Sequence, residues 1–327
     1  MSELHPLAVV AIGGNALLPT TGPLTMEAQR MHAANVAKSL APLSVTHRLV
    51  ITHGSGPQVG ILAEQSATSA AFRDMSLDVI DAEVEGMLGY VLMQALSNEF
   101  ACDVATLLTQ VVVSSLDDAF VFLSKPIGPI LPADVATKLT AERGWRFAPH
   151  GGGFRRLVAS PRPLEIVELG SIRALIAAGV IPVCVGGGGI PVLRTDYQLA
   201  GIEAVVDKDL VTSLLARELN ADVLVLLTDV DGLVTGWGNP HAQLVRHAPT
   251  IWARALELEP GSMGPKVAAC CDFVEATGKP AYIGNIRDGE GVVAGRSGTC
   301  FDEKGGSPRL ESIRRSTSLV GSWTIRS

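Results

Sequence analysis

Asp222-Val-Leu-Val-Leu-Leu-Thr228-Asp229-Val230-Asp231-Gly232 is an apolar run that ends in an acidic cluster closed by glycine. Ahead of it, Ala204-Val-Val-Asp207-Lys208-Asp209-Leu210 repeats the pattern, and Leu210 to Asn220 between them is helix-like. Apolar runs joined by a helix make the βαβ unit of a parallel sheet, so both charged clusters are expected at carboxyl ends of buried strands. In an open α/β sheet, ligands bind at that edge. A lysine between two aspartates is held there only if it is paired, and its compact ammonium suits a phosphate oxygen. The plainer alternative is a surface ion-pair cluster at a strand end.

Outward from this unit the alternation continues. Leu7 to Ile12 is an apolar strand entering Gly13-Gly14-Asn15, where missing Cβ atoms let backbone N–H groups approach an anion. Thr25 to Leu43 has helical periodicity, and Arg48 to Thr52 is a strand that ends in His53-Gly54-Ser55-Gly56-Pro57. Pro57 is expected at the first helical position, leaving free amides and a positive helix end over the turn. His53 reads as a residue that fixes the turn rather than a base. Asp78 to Glu99 is a long helix whose Gly86 and Gly89 allow close packing or a subunit contact, and Asp103 to Val113 is a further strand. Glu168 to Ala178 reads as a helix and Val180 to Val185 as a strand, followed by a third glycine loop at Gly186, Gly187, Gly188 and Gly189. Gly261-Ser-Met263-Gly-Pro265-Lys266 opens a helix to about Thr277, with Pro265 at its first position. Ala281 to Gly284 and Gly298 to Phe301 are closing strands. The predicted fold is α/β, a mostly parallel sheet with helices on both faces.

Between Ser114 and Pro163 the pattern changes. Six prolines, Lys125-Pro-Ile-Gly-Pro129 and Gly151-Gly-Gly-Phe-Arg155-Arg156 mark an insertion of about 50 residues over the sheet edge, a candidate lid. Arg155 and Arg156 read as a solvated face, and Trp237-Gly-Asn-Pro240 as a turn. The expected division is a main domain over 1–302 with its lid at about 114–163, then a loosely packed or mobile tail over 303–327.

A net charge of -7 with no basic block argues against a nucleic-acid partner. Ala174 to Leu193 is uncharged, but Pro182, four glycines and Pro191 break it, so no membrane span is expected. No secretory leader is visible, and five cysteines without a C-x-x-C pair fit reduced thiols in the cytoplasm. Cys270 and Cys271 read as core thiols. There is no P-loop, no dinucleotide fingerprint and no Cys/His zinc set. Lysine is scarce, seven against nineteen arginines, yet Lys125, Lys208 and Lys266 all stand among Gly, Pro or Asp.

Three glycine loops, three lysines and a carboxylate at one edge are the parts for phosphoryl transfer, which requires in-line positioning and neutralised charge more than covalent chemistry. Lys208 and Lys266 are expected to neutralise, Asp209 to orient them, and Mg²⁺ to enter with the nucleotide. No general base is needed for an acceptor that is already an anion, which favours a carboxylate-like acceptor over an alcohol.

These motifs resemble carbamate kinase, a branch of the amino acid kinase superfamily, in order from about residue 7 to 301. They are Ala11-Ile-Gly-Gly-Asn15-Ala16, Thr52 to Gly60, Thr109-Gln-Val-Val-Val113, Lys125 to Pro129, Val185 to Val192, Glu203 to Leu210, Leu227 to Gly232, Gly261 to Lys266 and Gly298-Thr299. The resemblance implies a sandwich of three layers, α/β/α, with about eight strands, a homodimer, and the reversible reaction ATP + carbamate ⇌ ADP + carbamoyl phosphate, run toward ATP in a catabolic pathway. It makes Lys208 and Lys266 the lysines at the transferred phosphoryl, Asp209 their organiser and Lys125 a group reaching in from the lid. Gly13, Gly14, Asn15, Gly54, Ser55, Gly56, Gly187 and Gly188 become acceptor and phosphate loops. Asp207, Thr228, Asp229, Val230 and Gly232 border the nucleotide, with Met263 near the base.

The chain departs from that pattern at Ser55, where the family usually has Asn, and at Gly152, where it usually has Arg. Ala82 to Gly89 and the tail differ as well. The two acceptor-side changes keep two further readings open: a kinase of another small carboxylate, and a non-catalytic protein that binds nucleotide or carbamoyl phosphate.

Overall fold

The computed structural model describes residues 5–17, 25–68, 75–239, 241–258, 263–303 and 305–312. Strand β1 (Leu7–Ile12) is wholly buried, and its side chains alternate between two cores, Val9 and Ala11 facing one, Ala8, Val10 and Ile12 the other. Helix α1 (Met26–Thr46) starts where the Thr25 side chain accepts the Ala28 N–H, and it runs through Pro42 to lead into β2 (Arg48–His53). Helix α2 (Gln58–Thr68) begins one residue after Pro57, whose carbonyl accepts the Ile61 N–H; the proline is the cap rather than the first helical residue. Helix α3 (Leu77–Glu99) then covers the sheet. Its Gly89 lies against Thr106, whose hydroxyl donates to the Gly89 carbonyl, so this glycine serves packing within the chain.

The predicted strand from Asp103 to Val113 is two strands, β3 (Val104–Thr106) and β4 (Gln110–Val112), in different sheets. The chain leaves the ladder between them, where buried Glu85 takes the Thr109 N–H. The insertion is a three-stranded antiparallel sheet, β5 (Lys125–Leu131), β6 (Arg146–His150) and β7 (Gly153–Val158), with α4 (Ala133–Arg143) against it. It meets α2 backbone to backbone, since a Cβ on Gly60 would collide with Gly128. Arg155 and Arg156 are not solvated as expected. Arg155 Nε donates to the Gly128 carbonyl, and Arg156 stacks 3.7 Å from the Trp145 ring centroid and lies 3.9 Å from Glu203.

β8 (Glu165–Ile166), α5 (Leu169–Ala177) and β9 (Ile181–Val183) follow, then a hairpin absent from the sequence reading, β10 (Ile190–Thr195) and β11 (Gln198–Gly201). Ala204–Val206 is buried but is not a strand. Its amide at Val205 bonds to the Ala159 carbonyl, outside any ladder, and it leads directly into α6 (Lys208–Glu218). Only the second charged cluster therefore follows a strand, β12 (Val223–Thr228). β13 (Val234–Thr235), β14 (Gln243–Pro249), α7 (Thr250–Arg254), α8 (Met263–Thr277), β15 (Ala281–Asn285), α9 (Gly289–Val293) and β16 (Thr299–Asp302) complete the body. Past the expected domain end, β17 (Arg309–Ser312) pairs with β14; residues 313–327 lie outside the described residues.

The main sheet has ten strands in the order β13-β14-β16-β15-β12-β1-β2-β9-β3, with β17 on β14. It is mostly parallel, and β13, β16 and β17 supply the antiparallel pairs. Helices α1, α3 and α9 pack on one face and α5, α6, α7 and α8 on the other, giving the expected three layers. Ile12 pairs with both Leu227 and His53 across the centre. The carboxyl ends of β12, β1 and β2 are thus level, and their loops open side by side.

Candidate active site

At that edge lies a cavity of about 710 Å³. The glycine loops after β1 and β2 form its floor, pressed so closely that a Cβ on Gly14 would stand 2.7 Å from the Gly56 amide and one on Gly54 equally near Gly14. Only backbone fits there, which leaves main-chain dipoles rather than side chains facing the space.

Lys208 and Asp209 occupy the first turn of α6, and Asp207 caps it, its Oδ1 accepting the Asp209 N–H at 2.9 Å. The helix start is fastened to β2 through a buried relay, since Thr52 and Thr212 hydroxyls are 2.7 Å apart and Thr212 donates to the Lys208 carbonyl. Lys266, the fourth residue of α8, reaches Asp209 Oδ2 at 2.9 Å, while Lys208 Nζ stands 2.8 Å from Asp209 Oδ1. Pro265 is the third helical residue, not the first, and Gly261 and Ser262 lie outside the described residues. From the inserted sheet Lys125 extends to Asp207 Oδ2 at 3.0 Å.

Electrostatics follow from this packing. Burial opposes ionisation of Asp209, but the Lys208 and Lys266 ammoniums outweigh it and hold the carboxyl well below the usual carboxylate range. Burial lowers the pKa of Lys208 and the nearby Lys266 charge adds to this, against the pull of Asp209. Lys266 is less buried, so although desolvation works against its charge, Asp209 prevails and raises its pKa. Two ammoniums share one carboxylate, and Lys208 Nζ has no aligned acceptor among the described residues. The cluster therefore carries surplus positive charge and unused donors on the cavity wall, a setting for an anion.

Of the expected site residues, Gly13, Gly14, Gly54, Ser55, Gly56 and Gly187 line the cavity together with Lys125, Asp207, Lys208, Asp209 and Lys266. Thr228, Asp229, Val230, Gly232 and Met263 line its other end, where Thr228 donates to Asp229. Gly188 is not in the wall; it lies behind, against the Val206 carbonyl. Asn15 is on the turn Gly14–Leu17 after β1. His53 is fully buried, with burial lowering its pKa to about 4, and its Nδ1 lies 3.2 Å from the Gly54 carbonyl in the turn after β2.

Sequence reasoning missed the apolar end of the cavity, formed by Leu233, Val234, Trp237, Leu256 and Leu258. Trp237, 64% exposed between two glycines, was legible as a turn but carried one further signal, an aromatic ring left in solvent beside the site.

Residues 6–285 match the amino acid kinase family, and the chain belongs to it, a family of phosphotransferases. Among its relatives, the carbamate kinases of Rhizobium meliloti and Escherichia coli are 43% and 44% identical to it, over 89% and 90% of this chain and 91% and 98% of theirs. The structure of carbamate kinase from Giardia lamblia bound to AMP-PNP superposes with a TM-score of 0.82 at 35% identity, covering 92% of this chain and 99% of that one. Within the family the chain falls among the carbamate kinases.

Proposed function

We propose that the cavity catalyses ATP + carbamate ⇌ ADP + carbamoyl phosphate. The observation that carries this is the pair of lysines, Lys208 buried and Lys266 half-buried, on one carboxylate, facing a backbone-lined floor. The bond from Pγ to the β,γ-bridging oxygen breaks as a bond from Pγ to a carbamate oxygen forms. The acceptor is already an anion, so no proton moves and no general base is required. Lys208 and Lys266 take up charge on the moving phosphoryl oxygens, while Asp209 fixes both ammoniums. Lys125 adds a third positive group from the lid. Gly13, Gly14, Gly54, Ser55, Gly56 and Gly187 cradle the phosphoryl and acceptor, with Gly188 and Asn15 supporting those loops. Asp207, Thr228, Asp229, Val230 and Gly232 border the nucleotide, whose base lies among Trp237, Leu256, Leu258 and Met263.

No group of three His, Cys, Asp or Glu side chains able to hold a metal occurs among the described residues; at the wall stand Asp207, engaged by Lys125 and the Asp209 amide, and Asp229, engaged by Thr228. That donor set fits Mg²⁺ bound mainly through nucleotide phosphates, where it would neutralise charge on their oxygens. Five free thiols fit a cytoplasmic setting, and no helix among the described residues is long and apolar enough to cross a membrane. The homodimer reading is supported by α3 and its neighbours, where Val79, Leu108, Tyr197 and Leu199 are exposed. Light scattering should give twice the 34.2 kDa chain mass.

The direct test is ATP formation from ADP, Mg²⁺ and carbamoyl phosphate, corrected for spontaneous decay. Turnover of order 1–100 per second, lost in Lys208→Ala, is expected. Nucleotide binding without turnover would redirect the reading to another small carboxylate, a change that Ser55 and Gly152 would then explain.

A further inference from the structure

Glu85, on α3, is only 1% exposed, yet both its carboxyl oxygens are engaged by the backbone. Oε1 accepts the Gly186 N–H at 2.8 Å and Oε2 the Thr109 N–H at 3.0 Å. Gly186 opens the loop whose next residue, Gly187, lines the cavity beside Ser55. Directly before it, Val185 sits at φ 55°, a left-handed conformation that a β-branched residue takes only where its surroundings impose it. The Val185 N–H is held by Thr109 Oγ1 at 3.1 Å, and the His53 ring packs against Gly186. On the other side of the loop, a Cβ on Gly188 would collide with the Val206 carbonyl, one residue from the cap of the helix that carries Lys208.

We propose that Glu85 is a positioning residue for phosphoryl transfer, clamping the strained Val185–Gly186 turn so that Gly187 forms the cavity wall and Gly188 seats the backbone entering Lys208. The inference rests on the phosphotransfer reading of the site. Both oxygens can accept at once in the carboxylate, or in the acid with its hydroxyl hydrogen turned away from the two N–H groups. Burial works against the charge and pushes the Glu85 pKa up to about 8, in spite of the Thr109 and Gly186 amides, so the neutral acid is the main form below that pH. A titratable group buried this deeply and tied to a strained turn is a pattern found at functional sites.

The clamp and the strain make a specific double-mutant test. Glu85→Gln keeps the volume but leaves one acceptor oxygen for two N–H groups; it should lower kcat about tenfold or more while the KM for ADP changes less than threefold. Glycine enters the left-handed region freely, so Val185→Gly removes the need for a clamp, and Glu85→Gln should cost clearly less kcat in that background. Glu85→Ala serves as a second variant, with the same expected relief. Near wild-type kcat in Glu85→Gln, or equal losses with Val and with Gly at position 185, would overturn the proposal. Should the wild-type protein make no ATP at all, the phosphotransfer reading falls, and the clamp is then read by amide hydrogen exchange at residues 186–189. Faster exchange in Glu85→Gln, slowed again by Val185→Gly, supports it; unchanged exchange removes it.

Discussion

Lys125 Nζ stands 3.0 Å from Asp207 Oδ2, so a lysine from the inserted sheet touches the residue that caps the helix bearing Lys208. The other Asp207 oxygen holds the Asp209 amide. One carboxylate thereby joins the lid to the first turn of α6. Lys125→Ala should leave nucleotide affinity within about threefold and cut kcat by roughly 10²–10³, the scale of losing one preorganised donor at a transition state. Equal losses in binding and kcat would show that Lys125 holds the ground state instead.

Among the described residues, Asp209 is the carboxylate in ion-pair contact with both Lys208 and Lys266, and neutralising it leaves a buried and a half-buried ammonium without that partner. Asp209→Asn should therefore lose about 3–5 kcal/mol of stability as well as activity, read from urea midpoints. An unchanged midpoint would mean that water or a bound anion already screens the pair.

Buried His53 makes the folded protein sensitive to acid. In the folded protein it stays neutral to about 4, whereas the unfolded residue takes up a proton near 6.5. Between those values the unfolded chain binds more protons, so this group's share of stability falls as pH drops, by about 3 kcal/mol in all. Glu85 acts oppositely between 4.5 and 8, but equally in wild type and variant. The contribution of Asp209 is lost only at lower pH. Between pH 7 and 4.5, His53→Gln should lose less stability than the wild-type protein. Parallel loss in both would assign acid sensitivity to other groups.

Trp237 lines the apolar end of the cavity while 64% exposed. Trp237→Ala should raise the KM for ADP several-fold with kcat changed less than about threefold, because stacking on a base is the same in ground and transition states. A kcat effect as large as that of Lys125→Ala would place the ring at the phosphates.

The core was legible in the sequence where composition and chemistry coincide. The run Val223–Thr228, the glycine loops at 13–14 and 54–56 and the three lysines were all readable, because buried strands need continuous apolar residues and anion loops need missing Cβ atoms. Ala204–Val206 misled because a buried extended segment and a buried strand have the same composition; only hydrogen-bond partners separate them. The split between Thr106 and Gln110 depends on Glu85, a distant helical carboxylate that no local pattern reveals. Which lysines share Asp209 is likewise a tertiary fact. The apolar cavity end comes from segments that each look like ordinary loop, and it exists only once they meet.

The contact between Gly14 and Gly54 changes what mutational scanning can detect. Replacing residues by alanine trims atoms almost everywhere else, but at these positions it adds one, 2.7 Å from the opposing chain. A scan built to delete function would here insert an obstacle, and would record the floor of the site as intolerant without learning what it touches. Much of this site is written in atoms that every residue possesses. Its chemistry must be interrogated by altering the main chain, for example by replacing an amide with an ester, rather than by trimming side chains.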